Sequence, residues 1–304
     1  MIYDVIVVGA GPAGISASIY ATSRGLNTLV LEKNQVGGTI RPVSTVTHYS
    51  GIQESETGKS FSQRLNNQAI NSGANIRFEE VVSIELDKEI KEITTGDNKY
   101  QAKAIIIAGG TTPKHIGIPG EEEFIGKGIS YCLSDNIEMY RDREVFVVGG
   151  ADGAIKEALF LSKIASKVTI IHFEEKLGAI AEFTSKVDKT SNITVKLNSR
   201  LTAVKGSESI EELEITDVNT GKSEAINSRN SFVFIYAGST PNSELYPLLN
   251  KEKGYIVVNS QMETNIPGVY AVGDISTKQV RQIATAVSDG AIAGIRVAAY
   301  IKEL

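Results

Sequence analysis

The sequence predicts an α/β protein in which one strand, glycine turn and helix unit occurs twice. A β-branched run at residues 3–8 leads into the glycine pattern at 9–14, and an alanine- and serine-rich helical pattern follows to about Ser23. The same order of elements recurs from Glu144, with glycines at 149–154. With 304 residues, 41% of them hydrophobic and 22% charged, the chain is long enough for two globular domains.

The first unit has the spacing of a dinucleotide-binding site. Its glycines follow the pattern Gly-x-Gly-x-x-Gly between a strand and a helix, and a second strand at 27–31 ends at Glu32. An acidic residue about 20 positions after the glycines can accept hydrogen bonds from a ribose. Strand, glycines, helix and carboxylate together predict dinucleotide binding here, rather than a glycine turn of some other α/β fold.

The second unit keeps the shape but changes the chemistry. Ala151 replaces the second glycine, whose missing side chain lets the backbone approach a pyrophosphate. Glu174 and Glu175 follow the next strand, 167–171, where a site for NADPH needs cations for the 2′-phosphate. Glu174 could instead hold the ribose of NAD, but an exposed charged turn is the favoured interpretation.

Three later segments complete the predicted organisation. Buried-strand patterns at 104–110 and 232–238 each break at glycine shortly before a proline, as a chain crossing between domains does. A further strand at 268–274 ends in Asp274, and a helical pattern runs from about 281 to 302. We expect this last strand and helix to return to the first domain.

Composition argues against several classes of protein. The net charge of -5 and the scattered lysines give no nucleic-acid footprint, and no apolar run approaches the roughly 18 residues of a membrane span. The single cysteine cannot form an internal disulfide, and no metal site is predicted. Because the first strand starts at once, we expect no signal peptide and a cytoplasmic protein.

Taken in order, these motifs resemble the low-molecular-weight thioredoxin reductases of the pyridine nucleotide-disulfide oxidoreductase superfamily. The resemblance covers nearly the whole chain. Its motifs are GAGPAG at 9–14, VGG at 36–38, IIIAGG at 105–110, ISYC at 129–132, VVGGADGA at 147–154, GVYAVGD at 268–274 and RQIATA at 281–286.

The resemblance implies two Rossmann-like, three-layer domains, the second inserted in the first. The FAD-binding domain would comprise residues 1–113 and 243–304, and a degenerate NAD(P)-binding-like domain would comprise 114–242. It also implies a homodimer that exchanges electrons with a redox protein.

The same resemblance assigns the FAD contacts. Glu32 would hold the adenosine ribose, Asp274 the ribityl and phosphate region, and Gln282-Ile283 would lie beside the flavin ring. The full predicted set is Gly9, Gly11, Pro12, Ala13, Gly14, Glu32, Lys33, Gly38, Thr39, Ile40, His48, Val81, Ala108, Gly109, Gly273, Asp274, Gln282 and Ile283.

The chain departs from the family pattern at its redox centre. Cys132 matches the cysteine that exchanges with thioredoxin, but Asp135 replaces the one that faces the flavin, so the dithiol relay is broken at its first step. No cation neighbours Cys132 in sequence to lower its pKa, which favours a buried, inert thiol over a nucleophile. A solvated carboxylate is likewise favoured for Asp135 over a proton donor to the flavin.

Two other departures from the family pattern concern the NADPH site and the FAD site. Phe173, Glu174 and Gly178 lie where the family has its phosphate-binding arginines. His48 stands where the family usually has asparagine beside the flavin, which places a titratable imidazole there. A histidine that packs or caps the loop is favoured over catalytic tuning. The candidate catalytic residues are therefore Cys132, Asp135 and His48.

Three functions remain open. The first is a FAD-dependent oxidoreductase that exchanges electrons with ferredoxin, flavodoxin or another flavin, without NADPH. The second is an NAD(P)H-dependent reductase of the ferredoxin/flavodoxin reductase type, against which Ala151 and Glu174 count. The third is a non-catalytic flavoprotein sensor. The first is preferred because the flavin-contact motifs are complete.

Overall fold

The computed structural model describes residues Met1–Leu304 and separates them into two compact units. Unit 1 comprises Met1–Thr112 and Thr240–Leu304, and unit 2 comprises Pro113–Ser239. The domain boundaries expected from the sequence, after residues 113 and 242, lie slightly further along the chain than the boundaries between these two units.

The elements alternate between strands and helices along most of the chain. The strands are β1 (Ile2–Val8), β2 (Thr28–Glu32), β3 (Asn75–Phe78), β4 (Val81–Glu85), β5 (Lys91–Thr95), β6 (Lys99–Ile107), β7 (Thr111–Pro113), β8 (Ile129–Ser130), β9 (Glu144–Val148), β10 (Lys167–Ile171), β11 (Ile193–Lys196), β12 (Ser199–Gly206), β13 (Ile210–Asp217), β14 (Ser223–Asn227), β15 (Phe232–Ile235), β16 (Ser239–Pro241), β17 (Lys251–Glu252), β18 (Tyr255–Ile256) and β19 (Val269–Ala271). The α-helices are α1 (Pro12–Thr22), α2 (Gly58–Asn71), α3 (Glu121–Phe124), α4 (Asp152–Leu161), α5 (Ala181–Val187) and α6 (Ile283–Glu303).

Unit 1 is organised around a seven-stranded sheet in the order β3-β2-β1-β6-β5-β4, with β19 added beside β6. The pairs β2–β3, β1–β2, β1–β6 and β6–β19 are parallel, whereas β5 is antiparallel to both β4 and β6. β5 pairs with the first half of β6 and β19 with the second half. Five parallel strands, β1, β2, β3, β6 and β19, therefore bring their carboxyl ends to one edge.

Apolar clusters cover both faces of this sheet. One cluster joins the strands to α1, α2 and α6 through side chains such as Ile15, Phe61 and Val297. The other contains Tyr100 and Tyr246 on the opposite face. Strand β1 after its first residue and the second half of β6 are largely buried on both sides, which explains why their sequences are mostly apolar.

Helix α6 packs closely on α1 because two of its residues are glycines. A Cβ at Gly290 would lie 2.1 Å from the carbonyl oxygen of Ala13, and one at Gly294 would lie 2.6 Å from that of Ala17. Only hydrogen fits at these positions. The close packing sets the start of α6, and with it Gln282 and Ile283, relative to the first glycine turn.

Unit 2 has a five-stranded parallel sheet in the order β11-β10-β9-β15-β8 and a separate antiparallel sheet β12-β13-β14. Helices α4 and α5 pack on one face of the parallel sheet through Ile155 and Phe183, and the other face packs on the antiparallel sheet through Leu213. The predicted α/β class is confirmed.

The predicted elements occur with shifted ends. Helix α4 begins at Asp152, within the glycine pattern at 149–154. The strand expected at 268–274 is limited to Val269–Ala271, and the glycine and aspartate after it form a 3₁₀ turn. No helix of the structure is both long and apolar enough to cross a membrane.

Candidate functional site

The candidate FAD site lies at the carboxyl edge of the parallel strands of unit 1. The glycine turn follows β1, Glu32 ends β2, Ala108 and Gly109 follow β6, and Asp274 follows β19. In open α/β sheets this edge is where nucleotides bind. The topology thus gathers predicted residues that are far apart in sequence.

Each of the three glycines of the first turn has a different role in the structure. Gly9 has φ +105°, and a Cβ there would lie 2.4 Å from the carbonyl oxygen of Ala108. A Cβ at Gly14 would lie 1.9 Å from the oxygen of Gly9, so this glycine permits close contact between helix and strand. Around Gly11, by contrast, a Cβ would meet nothing within 4 Å. That open space is where a pyrophosphate can approach the backbone.

Helix α1 offers its amino terminus to the same space. Gly11 caps the helix without a side-chain bond, Pro12 occupies the first turn, and the Ile15 N–H donates to the Gly11 oxygen. The N–H groups of Ala13 and Gly14 therefore have no acceptor within the helix. Exposed N–H groups and the helix dipole together favour a bound anion.

The Glu32 carboxylate is held in place by two backbone donors. The Ala10 N–H donates to Oε2 at 2.8 Å and the Asn34 N–H donates to Oε1 at 2.9 Å. Each oxygen keeps a lone pair for a further donor, as recognition of a ribose diol requires. Lys33 follows directly and is exposed.

The loop that contains Gly38, Thr39 and Ile40 lies against the first turn. The Gly37 N–H donates to the Ala10 oxygen at 2.9 Å, and a Cβ at Gly38 would lie 3.4 Å from the Cα of Gly11. Gly38–Ile40 form a 3₁₀ turn. This loop therefore forms a second wall beside the space at Gly11.

Gly273 and Asp274 form the third wall, supported by a pair of charges that we did not predict. A Cβ at Gly273 (φ +74°) would lie 2.8 Å from that of Ala13. The Gly273 N–H donates to Asp289 Oδ2 at 3.0 Å, and the Lys278 ammonium contacts the same oxygen. The sequence signal for this support is Asp289 itself, a carboxylate within the apolar pattern of α6.

Burial raises the pKa of the Asp274 carboxyl, and Asp289 adds to the rise while Lys278 and Arg281 oppose it. The Arg281 guanidinium lies 4.0 Å from the centre of the Tyr255 ring. Next to it, the Gln282 N–H donates to Thr285 Oγ1 at 3.1 Å, and Ile283 is buried at the start of α6. A desolvated carboxyl beside the turn is suited to hydrogen bonding with hydroxyl and phosphate groups.

Two predicted contacts belong to other parts of unit 1. Val81 opens β4, where it pairs with Thr95 at the antiparallel end of the sheet. His48 is exposed and has φ +57°, a left-handed conformation that asparagine adopts more easily than histidine. Its loop is closed by the bond from the Val46 N–H to the Glu56 oxygen, at 2.7 Å. The roles of Val81 and His48 stay predictions.

The second glycine turn repeats the backbone of the first. The Gly149 N–H donates to the Ile171 oxygen at 3.0 Å, as the Gly9 N–H does to Leu31 at 2.8 Å. Ala151 caps α4 with φ -84° and ψ 173°, against -70° and 179° at Gly11. The Ala151 methyl group therefore projects into the space that is open at Gly11.

The segment after β10 has an arginine beside it that the sequence did not indicate. His172 is buried, with Nε2 3.2 Å from Glu174 Oε2, and Gly178 donates its N–H to the Gly150 oxygen. The Arg200 guanidinium, from β12, lies 4.9 Å from the centre of the Phe173 ring. A cation thus stands where only carboxylates were expected, and it comes from a later strand.

Cys132 is exposed, so the expectation of a buried thiol is wrong. Its N–H donates to Ser130 Oγ at 3.3 Å, and that hydroxyl donates to the Cys132 oxygen at 2.7 Å. Burial raises the pKa of the nearby Tyr140 phenol, which is therefore neutral at physiological pH. Asp135 is exposed as expected. Redox roles for Cys132 and Asp135 stay predictions.

Comparison with known proteins identifies the family. The chain matches the model of the pyridine nucleotide-disulphide oxidoreductases over residues 3–290, and it belongs to that family. Thioredoxin reductase of Bacillus subtilis is 38% identical over 311 residues, which cover 100% of this chain and 96% of that protein. The crystal structure of Lactococcus lactis thioredoxin reductase matches with a TM-score of 0.95 at 34% identity, covering 99% and 100% of the two chains.

A structure of a ferredoxin-flavin thioredoxin reductase from Clostridium acetobutylicum also matches, with a TM-score of 0.55 and 26% identity over 99% of each chain. The predicted family and its Rossmann-like domains are confirmed, and so is a FAD-dependent oxidoreductase of the thioredoxin-reductase type. The geometry of unit 1 fits that cofactor: an open space at Gly11, an anion-binding helix terminus and an oriented Glu32 carboxylate.

Proposed function

We propose that this protein is a FAD-dependent oxidoreductase that exchanges electrons with a protein such as ferredoxin or flavodoxin, without NADPH and without a dithiol relay. When bound, FAD can take up two electrons one at a time, so two one-electron donors can replace one hydride donor. The chain would hold it through the α1 terminus, Glu32 and Asp274.

The observation that carries this proposal is the contrast between Gly11 and Ala151. Both cap a helix after a parallel strand in nearly the same backbone conformation, but only the first leaves the approach open. A methyl group on the Cα occupies the place where a phosphate would otherwise contact the backbone. The flavin site is thus intact in unit 1, whereas the pyridine-nucleotide site of unit 2 is obstructed.

The sequence at Cys132 supports the second half of the proposal. A disulfide substrate is released from the mixed disulfide in its reduced form only when a second thiol attacks that bond. Asp135 provides no thiol. A carboxylate cannot accept two electrons from a flavin. Electrons would therefore leave through the flavin itself or through an external thiol.

Anaerobic titration tests the proposal directly. The purified FAD-loaded protein is titrated in turn with reduced ferredoxin, NADPH and NADH, and the flavin absorbance is followed. We expect two equivalents of reduced ferredoxin to bleach one flavin, with two protons taken up from solvent, and the nucleotides to react slowly or not at all. Rapid bleaching by stoichiometric NADPH would overturn the proposal, and reduction by none of these donors would favour the sensor.

A second candidate function is an NAD(P)H-dependent flavoenzyme, and Arg200 is the observation that favours it. Its guanidinium stacks on Phe173 and makes no ion pair, so it could meet a 2′-phosphate or stack on an adenine. In that case Arg200→Gln would slow reduction by NADPH much more than reduction by ferredoxin. An equal effect on both donors would exclude this role.

We also propose a homodimer, on the strength of the family resemblance. Light scattering on the purified protein should then give about twice the chain mass of 32.7 kDa. A mass of one chain at all micromolar protein concentrations would contradict the proposed homodimer.

A further inference from the structure

Unit 2 contains a pocket away from its glycine turn. It has a volume of about 310 Å³ and is lined by Lys127, Gly128, Met139, Arg143, Ser209, Asn230, Ser231 and Phe232. This volume is near the lower end of the range for small-molecule sites. No part of the proposed electron transfer uses these residues.

The pocket lies at the amino ends of three neighbouring parallel strands. Gly128 directly precedes β8, Arg143 precedes β9 and Ser231 precedes β15, and these strands pair in the order β9-β15-β8. The second glycine turn follows the carboxyl end of β9. Since β9 has five residues that each advance about 3.3 Å, the pocket and the turn are separated by roughly 16 Å.

The pocket has positive charge and no compensating carboxylate. Lys127 and Arg143 are exposed, make no ion pair or side-chain hydrogen bond, and line the pocket without any acidic neighbour in its wall. Elsewhere in unit 2 the cations commonly have partners, as Lys167 has in Glu144 and Lys196 in Glu224. Two unpaired cations at one pocket favour an occupant with two negative charges.

A buried hydroxyl group in the wall lacks a partner. Ser231 is only 3% exposed, and its Oγ has no hydrogen-bond partner in the protein. This oxygen is itself closed off from solvent, so it lies behind the surface of the pocket and a ligand in the pocket cannot reach it. Next to it, Ser209 Oγ donates to Asn230 Oδ1 at 3.1 Å.

Contacts within the protein hold the backbone of the pocket wall in place without a ligand. Gly128 has φ +136°, and a Cβ there would lie 2.7 Å from the Ile210 side chain, so the close approach requires glycine. Asn230 has φ +56°, and its N–H donates to the Ile210 oxygen at 2.9 Å. Such a preformed site loses little conformational entropy on binding.

We propose that this pocket binds a small organic phosphate. Its phosphate group would lie between the Lys127 and Arg143 side chains, the two cations of the wall. Its organic body would contact Met139 and Phe232, the apolar side chains of the wall. The site is independent of the flavin and of the degenerate nucleotide turn.

Calorimetry of the FAD-loaded protein with phenyl phosphate tests this proposal, with inorganic phosphate and phenol as separate titrants. We expect saturable binding of one phenyl phosphate per chain, weaker binding of inorganic phosphate and none of phenol. The double variant Lys127→Gln/Arg143→Gln should bind phenyl phosphate at least about tenfold more weakly, because hydrogen bonds between oppositely charged groups are stronger than those between neutral groups. Lys163→Gln/Lys189→Gln removes the same charge from exposed positions of unit 2 and should bind as the wild type does.

Ser231→Ala is a second control. Because its Oγ has no partner in the protein and is closed off from a ligand, this variant should keep the unfolding temperature of the wild type and its affinity for phenyl phosphate. Failure of the wild type to bind phenyl phosphate saturably, or equal losses in the Lys163/Lys189 control, would overturn the proposal. Binding of an acidic protein that depends on Lys127 and Arg143, without binding of phenyl phosphate, would overturn it in favour of a protein-docking surface.

Discussion

Gly11 and Ala151 occupy the same position in two repeats of one supersecondary unit. Each caps the helix after a parallel strand, with φ and ψ of -70° and 179° at Gly11 and -84° and 173° at Ala151. Neither conformation needs glycine. The backbone therefore does not require the glycine at the first site. On the proposed function, this glycine serves an approaching ligand, and the alanine at the second site would remove that approach at no conformational cost.

Gly11→Ala should weaken FAD binding without unfolding the protein. The new methyl group meets no protein atom within 4 Å, but it occupies the space beside the amino terminus of α1 where the pyrophosphate would lie. We expect the FAD dissociation constant to rise at least about tenfold, which corresponds to about 1.4 kcal/mol. Fluorescence titration of the apoprotein with FAD measures it.

Gly96→Ala is the matched control for that variant. Gly96 also has open space around it, does not adopt a left-handed conformation and lies in the turn between β5 and β6. It should bind FAD as the wild type does. Unchanged FAD affinity in Gly11→Ala would mean that the cofactor does not approach this turn.

Ala151→Gly should make the second turn accessible again. We expect flavin reduction by NADH or NADPH to become measurably faster than in the wild type, with no change in reduction by ferredoxin. Stopped-flow absorbance under anaerobic conditions gives the rates. If the nucleotide rates stay at the wild-type level, the obstruction lies elsewhere, in the segment at Phe173 and Glu174.

Gly290→Ala should destabilise unit 1. A Cβ at Gly290 would lie 2.1 Å from the backbone oxygen of Ala13, so α6 must move away from α1. Overpacking of this kind costs about 1–3 kcal/mol. The free energy of unfolding in urea measures the loss, and FAD binding should weaken as well because α1 and α6 both border the site.

Gly153→Ala provides the comparison for Gly290→Ala. Gly153 is also within a helix, but a Cβ there meets nothing within 4 Å. Since alanine favours the helix by up to about 1 kcal/mol, this variant should be slightly more stable than the wild type. Equal destabilisation of both variants would show that the α1–α6 contact is not the cause.

Glu121→Gln should destabilise unit 2 at neutral pH but not in acid. Burial opposes ionisation of Glu121, but hydrogen bonds from the Tyr131 hydroxyl and from the N–H groups of residues 116–118 outweigh it and hold the pKa of this carboxyl below its usual range. A lowered folded-state pKa stabilises the protein above the unfolded value of about 4.3, and the effect is lost as the pH falls through the folded value.

Urea unfolding of Glu121→Gln at pH 7 should therefore show a loss of about 1–3 kcal/mol, because the amide places a donor opposite backbone donors. The difference from the wild type should shrink as the pH falls below 4. Glu123→Gln, at an exposed position of the same helix, should change little at either pH. A loss for Glu121→Gln that is independent of pH would rule out the ionised carboxylate as its source.

Local patterns predicted the parts of the site that are local in sequence. The β1–α1 turn and Glu32 follow from strand, glycines and spacing, since one supersecondary unit contains them all. The supporting Lys278–Asp289 pair and the Arg200–Phe173 stack could not be predicted in this way, because their partners come from separate elements. Packing between elements decides such contacts.

The exposure of Cys132 was mispredicted for a different reason. The expectation of a buried thiol rested on the absence of a cation beside Cys132 in sequence, and that absence bears on the reactivity of a thiol, not on its exposure. The chain leaves β8 after Ser130 and bends at residues 131 and 132, so the burial of the strand does not extend to the thiol. Leu133 is buried, while Cys132 is exposed and Tyr131 lies between the two in exposure.

Cys132→Ser should leave FAD binding and flavin reduction by an artificial donor nearly unchanged, and the wild type should show no thioredoxin-disulfide turnover with NADPH. Exposure gives the thiol access to a disulfide substrate, but resolution of the mixed disulfide needs a second thiol, and the chain has only one. The decisive measurement is a single turnover of the pre-reduced protein with a disulfide substrate, without added thiols, in the wild type and in Cys132→Ser. Ser134→Ala, a nearby change that leaves the thiol in place, is the control. Fast reduction of the disulfide by the wild type and by Ser134→Ala, but not by Cys132→Ser, would make Cys132 a redox centre and contradict the proposed absence of a thiol relay.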